Sequence, residues 1–154
     1  MEIPILTVEE ALKYAIQEEI KAYNLYTNTS KRVKIDSTRL MLTELAKEED
    51  SHRKLLEKVI IDGDYEMLGK KIPEKGRGIS DFIVASNLSE NATPQEVLIF
   101  AMKEEDKAFK LYSYLKNIHK ETNAEKLFEK LAEEEKRHKI RFEEEYEKYF
   151  SVDN

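Results

Sequence analysis

The chain has 154 residues, of which 40% are hydrophobic and 38% are charged, and its formal net charge is −6. This length and hydrophobic content predict one domain, spanning 1–154, whose core needs no covalent staples. Cysteine is absent, which excludes disulfides, iron–sulfur clusters and thiolate metal sites. The 26 basic and 32 acidic residues are not separated into blocks, so neither nucleic acid nor a membrane surface is an expected partner.

Targeting and membrane-spanning signals are not evident in the sequence. Residues 1–7 have no basic region followed by a long apolar run, and no later stretch approaches the about 18 apolar residues of a membrane span. The cytoplasm is therefore the expected location. No alternation of apolar and polar residues predicts a β-strand, so we expect an all-α protein.

The first two predicted helices form a pair. Thr7 and Glu10 have the spacing of a capping box at the start of a helix over about 7–34. Asp36, with the two hydroxyl residues after it, offers caps for a second helix over about 36–62. Because the connection between the two helices is so short, they should be antiparallel neighbours.

A long crossover is predicted over about 63–93. The segment contains all four glycines of the chain, and residues 80–85 are predicted either as a short helix or as a turn. A helix of about 27 residues is about 40 Å long. The connection over about 63–93 is long enough to return along such a helix to the other end of the bundle. The third helix can then start beside the first.

The third and fourth helices are preceded by the same kind of cap. Thr93 and Glu96 predict a capping box before a helix over about 94–120, and Thr122 caps a helix over about 123–150. Together the four helices predict an antiparallel four-helix bundle with one long crossover between the second and the third.

A repeat with an offset of 86 residues, the separation of Glu49 from Glu135, relates the two helix pairs. It aligns ionisable side chains that lie on the apolar, core-facing stripe of each helix: Glu19 with Glu105, Glu49 with Glu135, and His52 with His138. The threonine caps at 7 and 93 obey the same offset. The sequence is therefore interpreted as a duplicated helix pair.

These aligned residues have the chemistry of a metal site. A glutamate and a histidine three residues apart share one helix face and can reach the same ion. An unpaired carboxylate is costly in an apolar interior, so an inward glutamate calls for a partner charge or a metal. Four carboxylates would neutralise two divalent ions, and oxygen and imidazole ligands suit iron or manganese. The six residues predict a two-metal site of the di-metal carboxylate kind.

With these residues the sequence resembles the rubrerythrin group of ferritin-like di-iron proteins over essentially the whole chain. The resemblance is carried by the two Glu-x-x-His motifs and by two further sets: Glu19 with Ala22 and Tyr26, and Glu105 with Ala108 and Tyr112. It implies a ferritin-like fold with two iron ions, manganese or a mixed pair being the alternatives. It also implies that Glu49 and Glu135 bridge the ions at the catalytic centre, that Glu19 and Glu105 are terminal ligands, and that each histidine binds one ion.

The resemblance further implies an activity, the reduction of hydrogen peroxide or dioxygen by electrons from a separate donor such as a rubredoxin. We expect a homodimer that serves in oxidative stress. Two departures are visible: this chain has no cysteine for a rubredoxin domain, and it has Ala108 and Phe109 where rubrerythrins carry an extra glutamate. The predicted site is thus similar to the symmetric six-ligand site of bacterioferritin-like proteins.

Neighbours of the predicted ligands have two readings each. Tyr26 and Tyr112 either pack in the core or donate a hydrogen bond to a ligand carboxylate. Glu48 and Glu134 are either solvated or contact a ligating imidazole and fix its tautomer. His119, near the end of the third helix, is expected to be exposed and without function.

Two other functions remain open on the sequence. One is iron handling, in which the site oxidises ferrous iron for storage or reports its presence. The other is a structural or adaptor bundle with a vestigial site. A hollow shell of many subunits would favour storage, and a metal-free protein of undiminished stability would favour the structural role.

Overall fold

The computed structural model describes residues 7–63, 65–72 and 86–151. Its helices are α1 Val8–Ser30, α2 Asp36–Asp62, α3 Tyr65–Leu68, α4 Pro94–Ile118 and α5 Asn123–Tyr149. The first three belong to one compact unit, and α4 and α5 belong to a second. The described ranges contain no β-strand, only an isolated bridge between Thr7 and Lys71, and no helix in them is long and apolar enough to cross a bilayer.

In the first unit, α1 packs against α2 and ends before the predicted position of about 34. Ser30 is its last residue, and the run from Thr27 to Ser30 consists of residues whose side chains compete for backbone hydrogen bonds. Ser30 Oγ donates to the Thr27 carbonyl oxygen at 2.6 Å. The backbone N–H groups of Arg32 and Val33 both donate to the Thr29 carbonyl, which closes the helix early.

The start of α2 differs from the predicted cap. Ile35 is the N-cap residue and makes no side-chain capping hydrogen bond. Asp36 is instead the first helical residue, where its negative charge complements the helix dipole and pairs with Arg39 one turn later. Thr38 is fully buried. The prediction that residues 36–38 cap this helix was therefore wrong, because all three are already helical.

The short helix α3 lies in the segment predicted to be crossover. Gly63 follows the last residue of α2, and its N–H donates a hydrogen bond to the Val59 carbonyl. A Cβ at this position would lie only 2.5 Å from that oxygen. The chain then returns to the start of α1, where the Val8 N–H donates to the Lys70 carbonyl at 2.9 Å. The predicted short helix or turn over 80–85 lies outside the described residues.

In the second unit, α4 packs against α5, and hydrogen bonds stabilise both ends of the pair. At the end opposite the connecting turn, the Gln95 amide donates to the Tyr146 hydroxyl at 3.2 Å and to the Phe150 carbonyl at 3.0 Å. At the turn, Glu121 has a positive φ of 65°, and Thr122 accepts from the Glu125 N–H as the N-cap of α5. These contacts fix how α5 lies along α4.

His119, expected to be exposed, is buried with 4% of its surface accessible. Its Nδ1 donates to the Leu115 carbonyl at 2.7 Å. Its ring lies 5.3 Å from the ring of Phe128 in α5. The prediction was wrong because the imidazole folds back to satisfy a carbonyl at the end of α4, and the short turn brings α5 against it.

The predicted apolar stripes are largely buried, with exceptions at their edges. Tyr23, which lies one turn after Glu19 on α1, is 38% exposed. At 100° per residue it points about 40° away from Glu19, whereas Tyr26 points about 20° away and is buried. Tyr149, the last residue of α5, is 39% exposed. Burial thus follows the centre of each stripe.

The complete capping box at the start of α4 should contribute measurably to stability. Thr93 Oγ1 accepts from the Glu96 N–H at 3.2 Å, and the Glu96 carboxylate accepts from the Thr93 N–H at 3.0 Å. Thr93→Ala should lower the free energy of unfolding by about 1 kcal/mol in urea denaturation. Thr43→Ala, in the exposed middle of α2, is the control and should be neutral or slightly stabilising because alanine is the better helix former.

The same cap should be sensitive to acid. The backbone hydrogen bond from Thr93, followed by the one from its side chain, lowers the pKa of Glu96 from its ordinary 4.5. The carboxylate therefore stabilises the fold above pH 4.5 and loses that effect as the pH falls through the lowered value. The stability difference between wild type and Glu96→Gln should shrink over this range. An unchanged difference would contradict the role of the ionised carboxylate.

Candidate metal centre

A first triad of ionisable residues lies inside the α1–α2 pair. Glu19 comes from α1, and Glu49 and His52 come from one face of α2; each side chain is at most 3% exposed. His52 Nδ1 lies 3.6 Å from Glu19 Oε2 and 3.8 Å from Glu49 Oε1. On α2, buried Leu42 and Leu45 precede the triad and buried Leu56 follows it, as the stripe of α2 predicts.

A second triad with the same geometry lies inside the α4–α5 pair. Glu105 comes from α4, and Glu135 and His138 come from one face of α5, all at most 2% exposed. His138 Nδ1 lies 3.6 Å from both Glu105 Oε2 and Glu135 Oε1. The repeat seen in the sequence is thus a repeat in three dimensions, since each unit contains two buried carboxylates around one imidazole.

The donor atoms of each triad fit a divalent metal ion. One ligand atom from each residue lies within 4.8 Å of the others. Separations of 3.6 to 3.8 Å between nitrogen and oxygen are too long for a hydrogen bond. They suit two ligands that share an ion at about 2.0–2.2 Å from each. A cation would also offset the cost of burying two carboxylates beside one imidazole.

The residues predicted to flank the ligands occupy different environments. Tyr26 and Tyr112 are both buried, so their place in the core is as expected, while hydrogen bonds from them to ligand carboxylates stay a prediction. Glu48 is exposed, and Glu134 is partly buried with Arg137 at 4.0 Å. Contact of these two glutamates with an imidazole likewise stays a prediction.

Two exposed or half-buried ion pairs follow the repeat beside the triads. Glu18 pairs with Lys21 at 3.3 Å in α1, and Glu104 pairs with Lys107 at 3.4 Å in α4. These are neighbours one turn apart on the outer side of each helix, a spacing that stabilises a helix modestly. Both glutamates therefore make ion pairs along their own helices, beside the triads.

Sequence reasoning missed an ion pair between α4 and α5. Lys139 Nζ lies 3.1 Å from Asp106 Oδ1, and Lys110 Nζ lies 2.8 Å from Asp106 Oδ2. Burial raises the pKa of Asp106, but hydrogen bonds from Lys110 and Lys139 outweigh it and leave the pKa below its usual value. The available signal was opposite charge at two residues that each directly follow a predicted ligand.

The chain is similar in sequence and in fold to known proteins. A family model described as rubrerythrin matches residues 10–93 and 96–154. No curated protein is significantly similar in sequence. Among solved structures, the chain is similar to a Thermotoga maritima protein described as a ferritin-like diiron-carboxylate protein, with a TM-score of 0.76, 20% identity, and coverage of 97% of this chain and 100% of that one.

A second similar structure is a hypothetical protein from Pyrococcus furiosus. Its TM-score is 0.67 at 25% identity, and the match covers 90% of this chain and 87% of that one. Both likenesses extend over nearly the full length of the helices described above. The predicted fold class, an all-α ferritin-like four-helix bundle, is therefore confirmed.

Proposed function

Because this chain belongs to the rubrerythrin family, we propose that it is a di-iron oxidoreductase that reduces hydrogen peroxide with electrons from a separate donor. One observation carries the proposal: each helix pair buries two glutamates around a histidine, with donor separations that suit a metal ion. Family membership and the ferritin-like fold support metal binding at these triads. We propose in addition that the metal is iron, that two ions bind, and that peroxide is the substrate.

The six glutamates and histidines have distinct proposed roles. His52 and His138 would each hold one ion, and Glu19 and Glu105 would be terminal ligands of the same two ions. Glu49 and Glu135 would each contribute a carboxylate to both ions, as the resemblance implies. With four carboxylates and two divalent ions the filled site is neutral, which supports a site so deeply buried. Manganese or a mixed pair would meet the same ligands.

The protein's contribution to the reaction is to hold, neutralise and enclose the site. Bound iron would supply the two electrons that convert one hydrogen peroxide and two protons into two water molecules. Glu49 and Glu135 would hold the ions close enough together for one small oxidant to react with both. Apolar residues such as Leu45 and Leu131, fully buried one turn before Glu49 and Glu135, keep bulk water from the ligands.

Electrons for repeated turnover must come from outside the chain. The sequence has no cysteine, so it cannot bind an iron–sulfur or rubredoxin-type centre through thiolates. An external carrier such as a rubredoxin is the proposed donor. We further propose that the protein is a cytoplasmic homodimer that acts in oxidative stress. Light scattering of the purified protein tests the dimer.

Rapid mixing tests the proposed substrate. Protein loaded anaerobically with two equivalents of ferrous iron is mixed with hydrogen peroxide, and iron oxidation is followed by absorbance. The rate should exceed that of free ferrous iron under the same conditions and also the rate with dioxygen. Glu133→Gln, an exposed change two residues before Glu135, should behave as wild type. Oxidation no faster than free iron would reject peroxide reduction.

Iron oxidation for storage is a second candidate, favoured by one feature of α4. The turn after Glu105 presents partly buried Ala108 and Phe109, which provide no seventh carboxylate ligand. The resulting six-ligand set is similar to that of bacterioferritin-like proteins. Deposition of a mineral core under air, together with a hollow shell of many subunits on sizing, would favour storage over peroxide reduction. A metal-free protein of undiminished stability would instead favour a structural bundle.

A further inference from the structure

The residues that directly follow two of the proposed ligands link the helices of the second unit. Asp106 follows Glu105 in α4, and Lys139 follows His138 in α5. Their side chains meet across the two helices, with 3.1 Å between Lys139 Nζ and Asp106 Oδ1. This ion pair ties α4 to α5 beside the second triad.

The Asp106 carboxylate is held through both of its oxygens. Lys139 takes one oxygen, and Lys110, one turn along α4, takes the other at 2.8 Å. The side chains of Asp106 and Lys139 are 31% and 35% exposed, so water screens their attraction only in part. A carboxylate that is paired through both oxygens has fewer rotamers available. The pair with Lys139 therefore restricts movement of α5 relative to α4.

The matching positions of the first unit cannot form this link. The 86-residue offset aligns Asp106 with Ile20 and Lys139 with Arg53. Isoleucine has no charge, and the Arg53 guanidinium pairs with Asp50 at 3.0 Å and with Glu57, both on its own helix α2. Ion pairs within one helix do not hold that helix against its neighbour.

We infer that Asp106 and Lys139 are positioning residues for Glu105 and His138, and that they make the two halves of the metal site unequal. The inference rests on the proposed two-metal function. Ligands on helices that are already tied together lose less freedom when they bind an ion, so their complex is stronger. The ion bound by His138 should therefore leave more slowly than the ion bound by His52.

Iron release measures this inequality directly. Protein loaded anaerobically with ferrous iron is mixed with a large excess of a chromogenic ferrous chelator. The wild type should release iron in two phases; His138→Ala should remove the slow one and His52→Ala the fast one. Lys139→Met should speed the slow phase about threefold, as expected for a partly exposed ion pair, and leave the fast phase unchanged. Lys139→Arg, which keeps the charge, should restore the slow phase.

Arg53→Met is the matched control because it removes the cation at the same repeat position of the first unit. It should change neither release phase. A single release phase in the wild type would overturn the inference. So would equal acceleration of both phases by Lys139→Met, or the same effect from Arg53→Met.

A measurement without iron separates this inference from the proposed function. Urea unfolding of the metal-free wild type, Asp106→Asn, Lys139→Met and the double variant gives the coupling between the two residues. The double variant should lose less stability than the sum of the single ones. Strict additivity would overturn the positioning pair even if iron binds, whereas a protein with this coupling that binds no iron would overturn the proposed function and the unequal halves with it.

Discussion

Removal of bound metal should lower the melting temperature of the protein by about 10 °C. Each triad buries two carboxylates around one imidazole, and loss of the ion leaves that charge without its compensating cation. A ligand present at about a thousand times its dissociation constant stabilises the fold by about 4 kcal/mol. For a domain of this size each kcal/mol corresponds to about 2–4 °C. Thermal unfolding before and after dialysis against a chelator measures the difference.

Variants distinguish this effect from a general action of the chelator. Glu135→Gln removes one charge from the second triad and should lose most of the metal-dependent shift. Glu133→Gln removes one charge from the exposed face of the same helix and should retain the full shift. Equal melting temperatures for the loaded and metal-free wild type would show that the buried carboxylates are compensated without a metal.

Oxidation of the reduced protein by peroxide should stop after one two-electron step per site. Two ferrous ions contain the two electrons that one hydrogen peroxide accepts, and a chain without cysteine has no thiolate-bound centre to restore them. Adding peroxide to the loaded protein should therefore consume one equivalent and then stall. Reduced rubredoxin with a reductase system should restart consumption, which a peroxide electrode records.

Ligand variants test where this oxidation occurs. Glu135→Ala should slow the fast oxidation by about 100-fold or more, because the loss exceeds the 10- to 100-fold effects seen for residues that only support a metal ligand. His138→Ala should weaken the binding of one iron more than the other. Continued peroxide consumption without any donor, or full activity in Glu135→Ala, would contradict this account of the site.

Much of the candidate site could be predicted because its geometry is local to each helix. A glutamate and a histidine three residues apart share a helix face whatever the tertiary structure. An apolar stripe through them indicates that this face is buried, and Glu49 and His52 are indeed at most 2% exposed. The 86-residue repeat supports the same prediction independently, since Glu135 and His138 have the same spacing on an apolar stripe. The role of these residues as metal ligands is still a prediction.

Features that depend on contacts between helices could not be predicted in this way. His119 is buried because its imidazole donates to the Leu115 carbonyl and meets Phe128 of the next helix, which no spacing along the sequence indicates. The pair of Asp106 with Lys139 joins residues 33 positions apart. Their charges are visible in the sequence, but among 58 charged residues, 26 basic and 32 acidic, only the structure selects these partners.

The early end of α1 shows the same limit at a helix terminus. The sequence predicted a helix to about residue 34, but hydrogen bonds from the following turn to the Thr29 carbonyl compete with another turn of helix. Short helix α3 was likewise not predicted, because it lies in the segment interpreted as crossover, where a short helix or turn was expected only over 80–85. Both cases depend on how the chain meets its neighbours, whereas the long helices were predicted from their strong periodicity.

Metal analysis of the purified protein tests the central claim most directly. Protein isolated under air, with the triads intact, should contain about two irons per chain and show the near-ultraviolet absorption of ferric iron bridged by oxygen ligands. The double variant Glu49→Gln with Glu135→Gln should lose most of that iron, and Glu133→Gln should retain it. Two irons in the wild type and their loss in the double variant are the predicted result. A wild type that remains free of iron and manganese, even after incubation with each ion, would contradict the account.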